Sequence, residues 1–300
     1  ADLSLLLFGD EAAIRSLLAI RQPPAVAAAR LVVRPTTQTV AMDESPSKAL
    51  RNKKDSSMRR AIDAVKAGEA QGAVSAGNTG ALMATAKFVL KTLPGIERPA
   101  ICAPMPALQG RPYMLDLGAN AECSPAQLLE FAVMGSALAT AMQHTEQPRV
   151  ALLNIGEEEI KGNETIKAAA ALLQASGLNY TGFVEGDGIF KGDADVVVCD
   201  GFVGNISLKT GEGVARLIRD FMKAEFLAGP LSKMAALIAR PVLQRLAARI
   251  DPRNYNGAFF LGLNGLVIKS HGSADPASFA NAIGVAIEAV KTDVIGRTRG

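Results

Sequence analysis

Short turns rich in glycine, asparagine and aspartate follow several apolar runs of this sequence, and they carry the side chains best suited to chemistry. The first is Ser75-Ala-Gly-Asn-Thr-Gly-Ala-Leu-Met83, where a short apolar run leads through a polar bend into a helical pattern. Asn78 and Thr79 supply donors where a helix begins, and we expect Gly77 and Gly80 to adopt positive φ and let a ligand approach the backbone. The turn indicates a phosphate or carboxylate site, with an ordinary helix cap as the alternative.

Similar turns follow four later apolar runs. Five matching turns in one chain are hard to explain as five independent helix caps. The four later turns are Asp116-Leu-Gly-Ala-Asn120, Asn154-Ile-Gly156, Asp200-Gly-Phe-Val-Gly-Asn205 and Ser270-His-Gly272. Ligands of open α/β sheets bind outside the carboxyl ends of the strands, so we predict that the turns converge on one crevice. Asp116, Asn120 and Asp200 are expected to shape this crevice through hydrogen bonds and to help bind the substrate.

A charged block, Asn154-Ile-Gly-Glu-Glu-Glu-Ile-Lys-Gly-Asn163, is the second distinctive stretch. Its three consecutive acids are typical of a solvated face. Lys161 lies in a glycine-flanked bend just before the helical pattern that begins near Glu164, so its ammonium can meet an anion in the crevice as a compact point charge. A solvated lysine is the alternative. Three roles are open for His271: an acid, an orienting group or a histidine capped at a strand end.

Other classes of site lack their main residues. The sequence has no Gly-x-Gly-x-x-Gly, no P-loop and no Gly-x-Ser-x-Gly motif, which weakens dinucleotide, nucleotide and serine-hydrolase interpretations. Cys102, Cys123 and Cys199 are widely separated, and the histidines are His144 and His271 alone. We therefore expect no structural zinc and no disulfide framework, cysteines that act as small buried hydrophobic residues, and a reducing cytoplasm.

Composition narrows the class of partner. The 300 residues are 49% hydrophobic and 20% charged, with a net charge of only +3. No basic stripe is interleaved with aromatic residues, so nucleic acid is not an expected partner. No apolar run approaches the roughly 20 residues of a membrane span, which predicts a soluble or peripheral protein.

Strand-like and helical patterns alternate along most of the chain. Strands are predicted at residues 3–8, 31–33, 73–76, 100–103, 113–117, 150–153, 195–199 and 266–268, and helices at 12–20, 57–67, 81–91, 124–142 and from 164, with a long loop at 35–57 that includes a short helix from Pro46. This alternation implies βαβ units, a largely parallel sheet and a single α/β domain over residues 1–300.

Residues 214–253, the helical arm, form a separate pattern within that domain. It is rich in Leu, Ile and Met, and we expect breaks at Gly229-Pro230 and at Pro241. Between Lys223 and Arg253 the cations outnumber the acids Glu225 and Asp251, and these cations are Lys223, Lys233, Arg240, Arg245, Arg249 and Arg253. Apolar stripes with basic edges can form a dimer, dock an acidic carrier protein or lie on an anionic membrane, whereas a plain core helix is the alternative.

Taken together, the motifs resemble those of the PlsX family of bacterial phosphate acyltransferases. The matching blocks are residues 75–83, Gly95-Ile-Glu-Arg-Pro99, residues 116–120, Leu153-Asn-Ile-Gly-Glu-Glu-Glu-Ile-Lys-Gly162, Cys199-Asp-Gly-Phe-Val-Gly-Asn205, Tyr255-Asn-Gly257 and Ile268-Lys-Ser-His-Gly272. The family usually opens with a strand and an Asp-x-Met-Gly-Gly-Asp loop, which has no counterpart here, so we expect an upstream element to be missing.

The resemblance implies transfer of a long acyl chain from acyl carrier protein to orthophosphate, giving acyl phosphate for phospholipid synthesis. It implies a homodimer with a Rossmann-like three-layer sandwich akin to the isocitrate/isopropylmalate dehydrogenase fold, and neither a metal nor an organic cofactor. It also implies that Lys161 and Asn205 are the catalytic pair. The substrate-binding candidates are then Asn78, Thr79, Gly80, Asp116, Asn120, Asp200 and His271. The alternatives are a phosphotransacetylase that uses acyl-coenzyme A and a non-enzymatic anion- or nucleotide-binding module.

Overall fold

A computed structural model describes residues 3–299, which divide into two compact units. Unit 1 takes in the described residues of Ala1–Pro99, Ala141–His144 and Asn256–Gly300, and unit 2 takes in Ala100–Thr140 and Thr145–Tyr255. The single catalytic domain stays a prediction, and the whole helical arm falls within unit 2.

Strands and helices alternate through both units. The strands are β1 (Leu5–Gly9), β2 (Leu31–Pro35), β3 (Gly72–Ser75), β4 (Ala100–Pro104), β5 (Tyr113–Leu115), β6 (Val150–Leu153), β7 (Tyr180–Val184), β8 (Val196–Val198), β9 (Ala258–Leu261) and β10 (Leu266–Lys269). The helices are α1 (Glu11–Arg21), α2 (Ala25–Ala28), α3 (Pro46–Asn52), α4 (Ser57–Lys66), α5 (Thr79–Leu90), α6 (Pro125–Gln143), α7 (Glu164–Gln174), α8 (Gly186–Lys191), α9 (Gly201–Leu227), α10 (Pro230–Arg249), α11 (Pro276–Lys291) and α12 (Val294–Arg299), with a short 3₁₀ turn at Pro252–Tyr255.

Unit 1 contains two groups of strands. β1 and β2 pair in parallel, and β10 pairs in parallel with β3 and antiparallel with β9. Helices α4 and α11 contact β3, and α11 also contacts β10. Ile62, Leu82, Val267 and Ile268 are fully buried between these elements, so the apolar faces of the helices close over the short strands.

Unit 2 is built on the strand order β4-β5-β8-β6-β7. β4 is antiparallel to β5, and the other neighbours are parallel. β6 and β8 are buried throughout, as continuous apolar runs covered on both faces should be. Helix α6 approaches this sheet closely, because a Cβ added at Gly135 would lie 2.6 Å from Val196 Cγ1. The carboxyl ends of β5, β8, β6 and β7 therefore share one edge.

The α/β fold with a mostly parallel sheet is confirmed, and the predicted strands and helices match the observed ones to within a few residues. Two local predictions are wrong. The Asp200–Asn205 turn is the start of helix α9, and Pro241 lies inside α10 without ending it. A proline at 241 leaves the carbonyl of Leu237 without its helical donor, and Leu237 is 69% exposed, so water can supply that bond.

The arm consists of the later part of α9 and all of α10, which contact each other. Every residue of α10 is described, and none is buried. Large apolar side chains remain exposed along both helices, among them Leu217, Phe221, Leu231 and Ile238. Within residues 3–299, no helix has the length and apolar character needed to cross a membrane.

Candidate active site

The Asn78 turn connects β3 to α5 in unit 1. The side-chain oxygen of Asn78 accepts a hydrogen bond from Ala81 N at 3.0 Å and so caps α5. Its amide nitrogen donates to the main-chain carbonyls of Ala41, Met42 and Glu44 at 3.3, 2.9 and 2.9 Å. The side chain thus ties the long loop to the start of α5, and the exposed residues at that start are Thr79 and Gly80.

The two glycines of this turn serve close packing. Neither has a positive φ, so the expectation that they do is wrong. A Cβ added at Gly77 would lie 2.7 Å from Met58 Cε, and one added at Gly80 would lie 2.9 Å from Pro46 Cγ. Gly80 leaves room for the Pro46 ring of α3, and Gly77 leaves room for the terminal methyl group of Met58 from α4.

The carboxyl end of β10 adjoins this turn. Ser270 N donates to Ser75 O at 2.9 Å, and a Cβ at Gly272 would lie 3.6 Å from Ala76 O. His271 is exposed, and its Nδ1 accepts from Ser273 N at 3.2 Å. Unit 1 therefore brings Asn78, Thr79, Gly80 and His271 to adjacent strand ends, as predicted for the turns.

Two residues that sequence reasoning left without a role also lie at this edge. Lys269 ends β10, is only 9% exposed and donates from Nζ to the carbonyl of Ser270. Asn256 donates to Ser270 Oγ at 2.8 Å and accepts from His271 N at 2.8 Å. Both occur in blocks that carry the resemblance, and a lysine that ends an apolar strand is the signal that could have identified Lys269.

In unit 2, Asp116 follows β5 and is completely buried. One oxygen accepts from the main-chain nitrogens of Ile101, Gly118 and Ala119 at 2.9, 3.3 and 3.1 Å. The other accepts from N and Nδ2 of Asn120 at 2.7 and 2.9 Å. Burial raises the pKa of the Asp116 carboxyl, while these hydrogen bonds act to lower it. The carboxylate is satisfied by donors from the protein itself.

Helix α9 begins beside that carboxylate. Asp200 caps the helix, because its Oδ1 accepts from Val203 N at 2.8 Å. Asn205 lies in the second turn with its side chain exposed. A Cβ added at Gly118 would lie 3.5 Å from Asn205 Cβ. Asp116, Asn120, Asp200 and Asn205 are therefore brought together as the turns predicted, although Asn205 is on a helix.

Lys161 follows β6, the strand next to β8. Its Nζ forms an ion pair with Glu158 Oε2 at 2.9 Å, and both side chains are largely exposed. The hydrogen bond that Lys161 donates to Glu158 raises the pKa of Lys161, which is protonated at neutral pH. The bend is held by Asn154 Nδ2, which donates to the carbonyls of Gly156 and Lys161 at 3.1 and 3.3 Å. An exposed ion pair of this kind is weak, so an anionic ligand can compete with Glu158.

The chain is similar to known proteins along nearly its whole sequence. A family model described as fatty acid synthesis protein matches residues 1–297. The phosphate acyltransferase of Halorhodospira halophila is 58% identical over 97% of this chain and 85% of its own length. That of Methylococcus capsulatus is 57% identical over 98% of this chain and 86% of its own length.

Solved structures with the same fold are more distant in sequence. The EutD phosphotransacetylase from Staphylococcus aureus is 18% identical, with a TM-score of 0.60 over 96% of this chain and 86% of its own. A phosphotransacetylase from Streptococcus pyogenes is 17% identical, with a TM-score of 0.56 over 97% of this chain and 94% of its own. At this level of identity the likeness concerns the fold alone.

Proposed function

Because the chain belongs to the fatty acid synthesis protein family and is an acyltransferase that transfers an acyl group to phosphate for phospholipid synthesis, we propose that its donor is long-chain acyl-acyl carrier protein. The observation that carries the site assignment is the exposed Asn205 amide at the start of α9, with Lys161 following the neighbouring parallel strand of unit 2. Both occupy the sheet edge where α/β proteins bind ligands.

The chemistry needs little from the protein beyond placement and charge. An oxygen of orthophosphate attacks the thioester carbonyl carbon, a C–O bond forms, and the carbonyl becomes an oxyanion. Collapse of that intermediate breaks the C–S bond, and the thiolate of the carrier's prosthetic group leaves and takes up a proton. Phosphate is already an anionic nucleophile at neutral pH, so positioning and oxyanion stabilisation are the main tasks.

We assign these tasks to named groups. Lys161 neutralises the incoming phosphate as a point charge, and the Asn205 amide donates to phosphate or to the oxyanion. Thr79 and Gly80 present main-chain donors at the start of α5, where a helix favours an anion. The exposure of Thr79 and Gly80 in unit 1 supports direct contact with an anion, and the exposure of Asn205 in unit 2 supports direct contact with substrate. Asn78 in unit 1, and Asp116, Asn120 and Asp200 in unit 2, are hydrogen-bonded within their own unit.

The helical arm is assigned to association. Phe221 and Ile238 are large apolar residues of the arm, and they are 64% and 78% exposed. Such exposed apolar surface supports a homodimer through α9 and α10. The basic edge then faces an acidic carrier protein or an anionic membrane surface. Reversing the charges of Lys233 and Arg240 should raise the KM for acyl-acyl carrier protein or abolish vesicle flotation, and no change in either measurement would refute the role of this edge.

Three further expectations stay predictions: a dehydrogenase-like three-layer sandwich, a reaction without metal or organic cofactor, and a cytoplasmic location with peripheral membrane contact. The function is tested by incubating the protein with long-chain acyl-acyl carrier protein and radiolabelled orthophosphate without added metal. Labelled acyl phosphate is the expected product. Turnover of acetyl-coenzyme A instead would favour a phosphotransacetylase, and binding without turnover of either thioester would contradict the proposed donor.

A further inference from the structure

We propose that Asp116 is a positioning residue that fixes the location of Asn205 through residues 117–120, here called the clamp loop, and that it does not itself touch the substrate. The inference rests on the proposed role of Asn205 as an oxyanion or phosphate donor. The sequence suggested that Asp116 shapes the crevice and helps to bind the substrate; the proposal keeps the first task, names the residues through which it acts and drops the second.

The carboxylate is organised to hold the clamp loop. It is completely buried, and its acceptors are used by main-chain nitrogens of Ile101, Gly118, Ala119 and Asn120 and by the Asn120 amide, at 2.7 to 3.3 Å. Three of these main-chain donors belong to consecutive residues, so one side chain fixes the course of the whole loop. A charged acceptor makes each of these bonds stronger than a neutral one would.

The clamp loop in turn fixes the start of α9. Gly201 N, at the first residue of the helix, donates to Asn120 O at 2.7 Å. A Cβ added at Gly201 would lie 2.6 Å from that same oxygen, and one added at Gly204 would lie 1.9 Å from Asp116 O. The first turn of the helix is therefore in direct backbone contact with Asn120, at the end of the clamp loop, and with Asp116, just before it, so the turn cannot shift toward the loop.

The Asn205 side chain lies beside Gly118 of the clamp loop. Gly118 has a φ of +124°, and a Cβ there would lie 3.5, 3.6 and 3.7 Å from Cβ, Cγ and Nδ2 of Asn205. The helix thus fixes the backbone from which Asn205 projects, and the clamp loop limits the space open to its side chain on one side. A displacement of about 1 Å in a reacting group can cost about 100-fold in rate, so Asp116 can influence catalysis without contacting the substrate.

The test combines one substitution with its effect on Asn205. Asp116→Asn keeps the size of the side chain, but it places an amide NH₂, itself a donor, opposite the two donors of Asn120. We expect kcat to fall by roughly 100-fold, the loss that a displacement of this order produces, with cooperative unfolding retained. Asp195→Asn is the matched control, because Asp195, at the amino end of β8, also accepts hydrogen bonds in unit 2, from Arg149 just before β6. This control should lose stability without a change in kcat.

The decisive measurement is a double-mutant cycle. Because Asp116 acts through Asn205, Asp116→Asn should lower kcat strongly in the wild-type background but by less than about threefold when added to Asn205→Ala. A full multiplicative loss in both backgrounds would show that Asp116 acts independently and would overturn the proposal, as would a normal kcat for Asp116→Asn. If Asp116→Asn does not fold, Asn120→Ala removes one donor of the same carboxylate and enters the same cycle.

Failure of the proposed function gives a different result. If Asn205 has no part in the reaction, Asn205→Ala alone retains a normal kcat. The proposed function of Asn205 is then wrong, and Asp116 cannot act through it. If the donor is wrong, the wild-type protein makes no acyl phosphate from acyl-acyl carrier protein, whatever residue occupies position 116.

Discussion

The contact between Gly204 and the carbonyl of Asp116 allows a sharp test of how α9 is positioned. A Cβ at Gly204 would lie 1.9 Å from Asp116 O, 2.9 Å from Cys199 Sγ and 3.0 Å from Asp116 C, whereas real Cβ atoms essentially never come within 3.0 Å of another heavy atom. The nearest obstacle is main chain in a buried loop, so in Gly204→Ala the helix or the loop must move by about 1 Å, a shift that can cost about 100-fold in rate.

Two effects on stability oppose each other in this variant. Overpacking typically destabilises by about 1–3 kcal/mol, whereas replacing glycine by alanine in a helix stabilises by about 1 kcal/mol. Gly204→Ala should therefore lose up to about 2 kcal/mol and remain folded. Gly213→Ala is the matched control: it lies in the same helix, and nothing is within 4 Å of its added Cβ, so it should gain stability and keep its kcat.

The assay is acyl phosphate formation, compared with urea unfolding of the same preparations. A low kcat for Gly204→Ala with an unfolding free energy within about 2 kcal/mol of wild type would support positioning of Asn205 by the backbone. Normal turnover by a folded Gly204→Ala would refute the reasoning, because it would show that α9 tolerates the displacement. Loss of activity in Gly213→Ala as well would assign the effect to the helix in general.

Three other predictions concern charges. Lys161→Ala should raise the phosphate KM and lower kcat by about tenfold or more, as expected from losing a charged hydrogen bond, and an unchanged phosphate dependence would contradict its role. Lys269→Met should raise the phosphate KM without lowering Tm, because the buried ammonium lies at the edge that carries the Asn78 turn; Lys87→Met, on exposed α5 surface, is the control. Burial acts to raise the pKa of Asp195, but hydrogen bonds from Arg149 outweigh it and hold this pKa below its ordinary value. The pair therefore stabilises above about pH 4 and less as pH falls through the lowered pKa, so urea unfolding of Asp195→Asn should vary less than wild type toward pH 3.

Periodicity predicted the elements whose burial is regular and missed those whose burial is not. The runs at 150–153 and 195–199 are strands because they are covered on both faces. In contrast, Gly201 and Gly204 gave no helical signal, because glycine disfavours helix interiors. They are in α9 because Asp116 and the clamp loop leave no room for a larger residue. That reason is tertiary, and no local pattern could have supplied it.

The site divides in the same way between what residue type and what packing determine. Asn78, Thr79, Asp116 and Asn205 could be selected because polar residues after apolar runs mark strand ends. Their hydrogen-bond partners could not be predicted in this way. The Asn78 amide donates to carbonyls of residues 41–44, and the Asp116 carboxylate accepts from Ile101 and from the clamp loop. A sequence shows that a carboxylate lies at a strand end, but only hydrogen-bond partners decide whether it faces the ligand or the protein. For Asp116 those partners are all protein groups, so its influence on the reaction must pass through the residues that it holds.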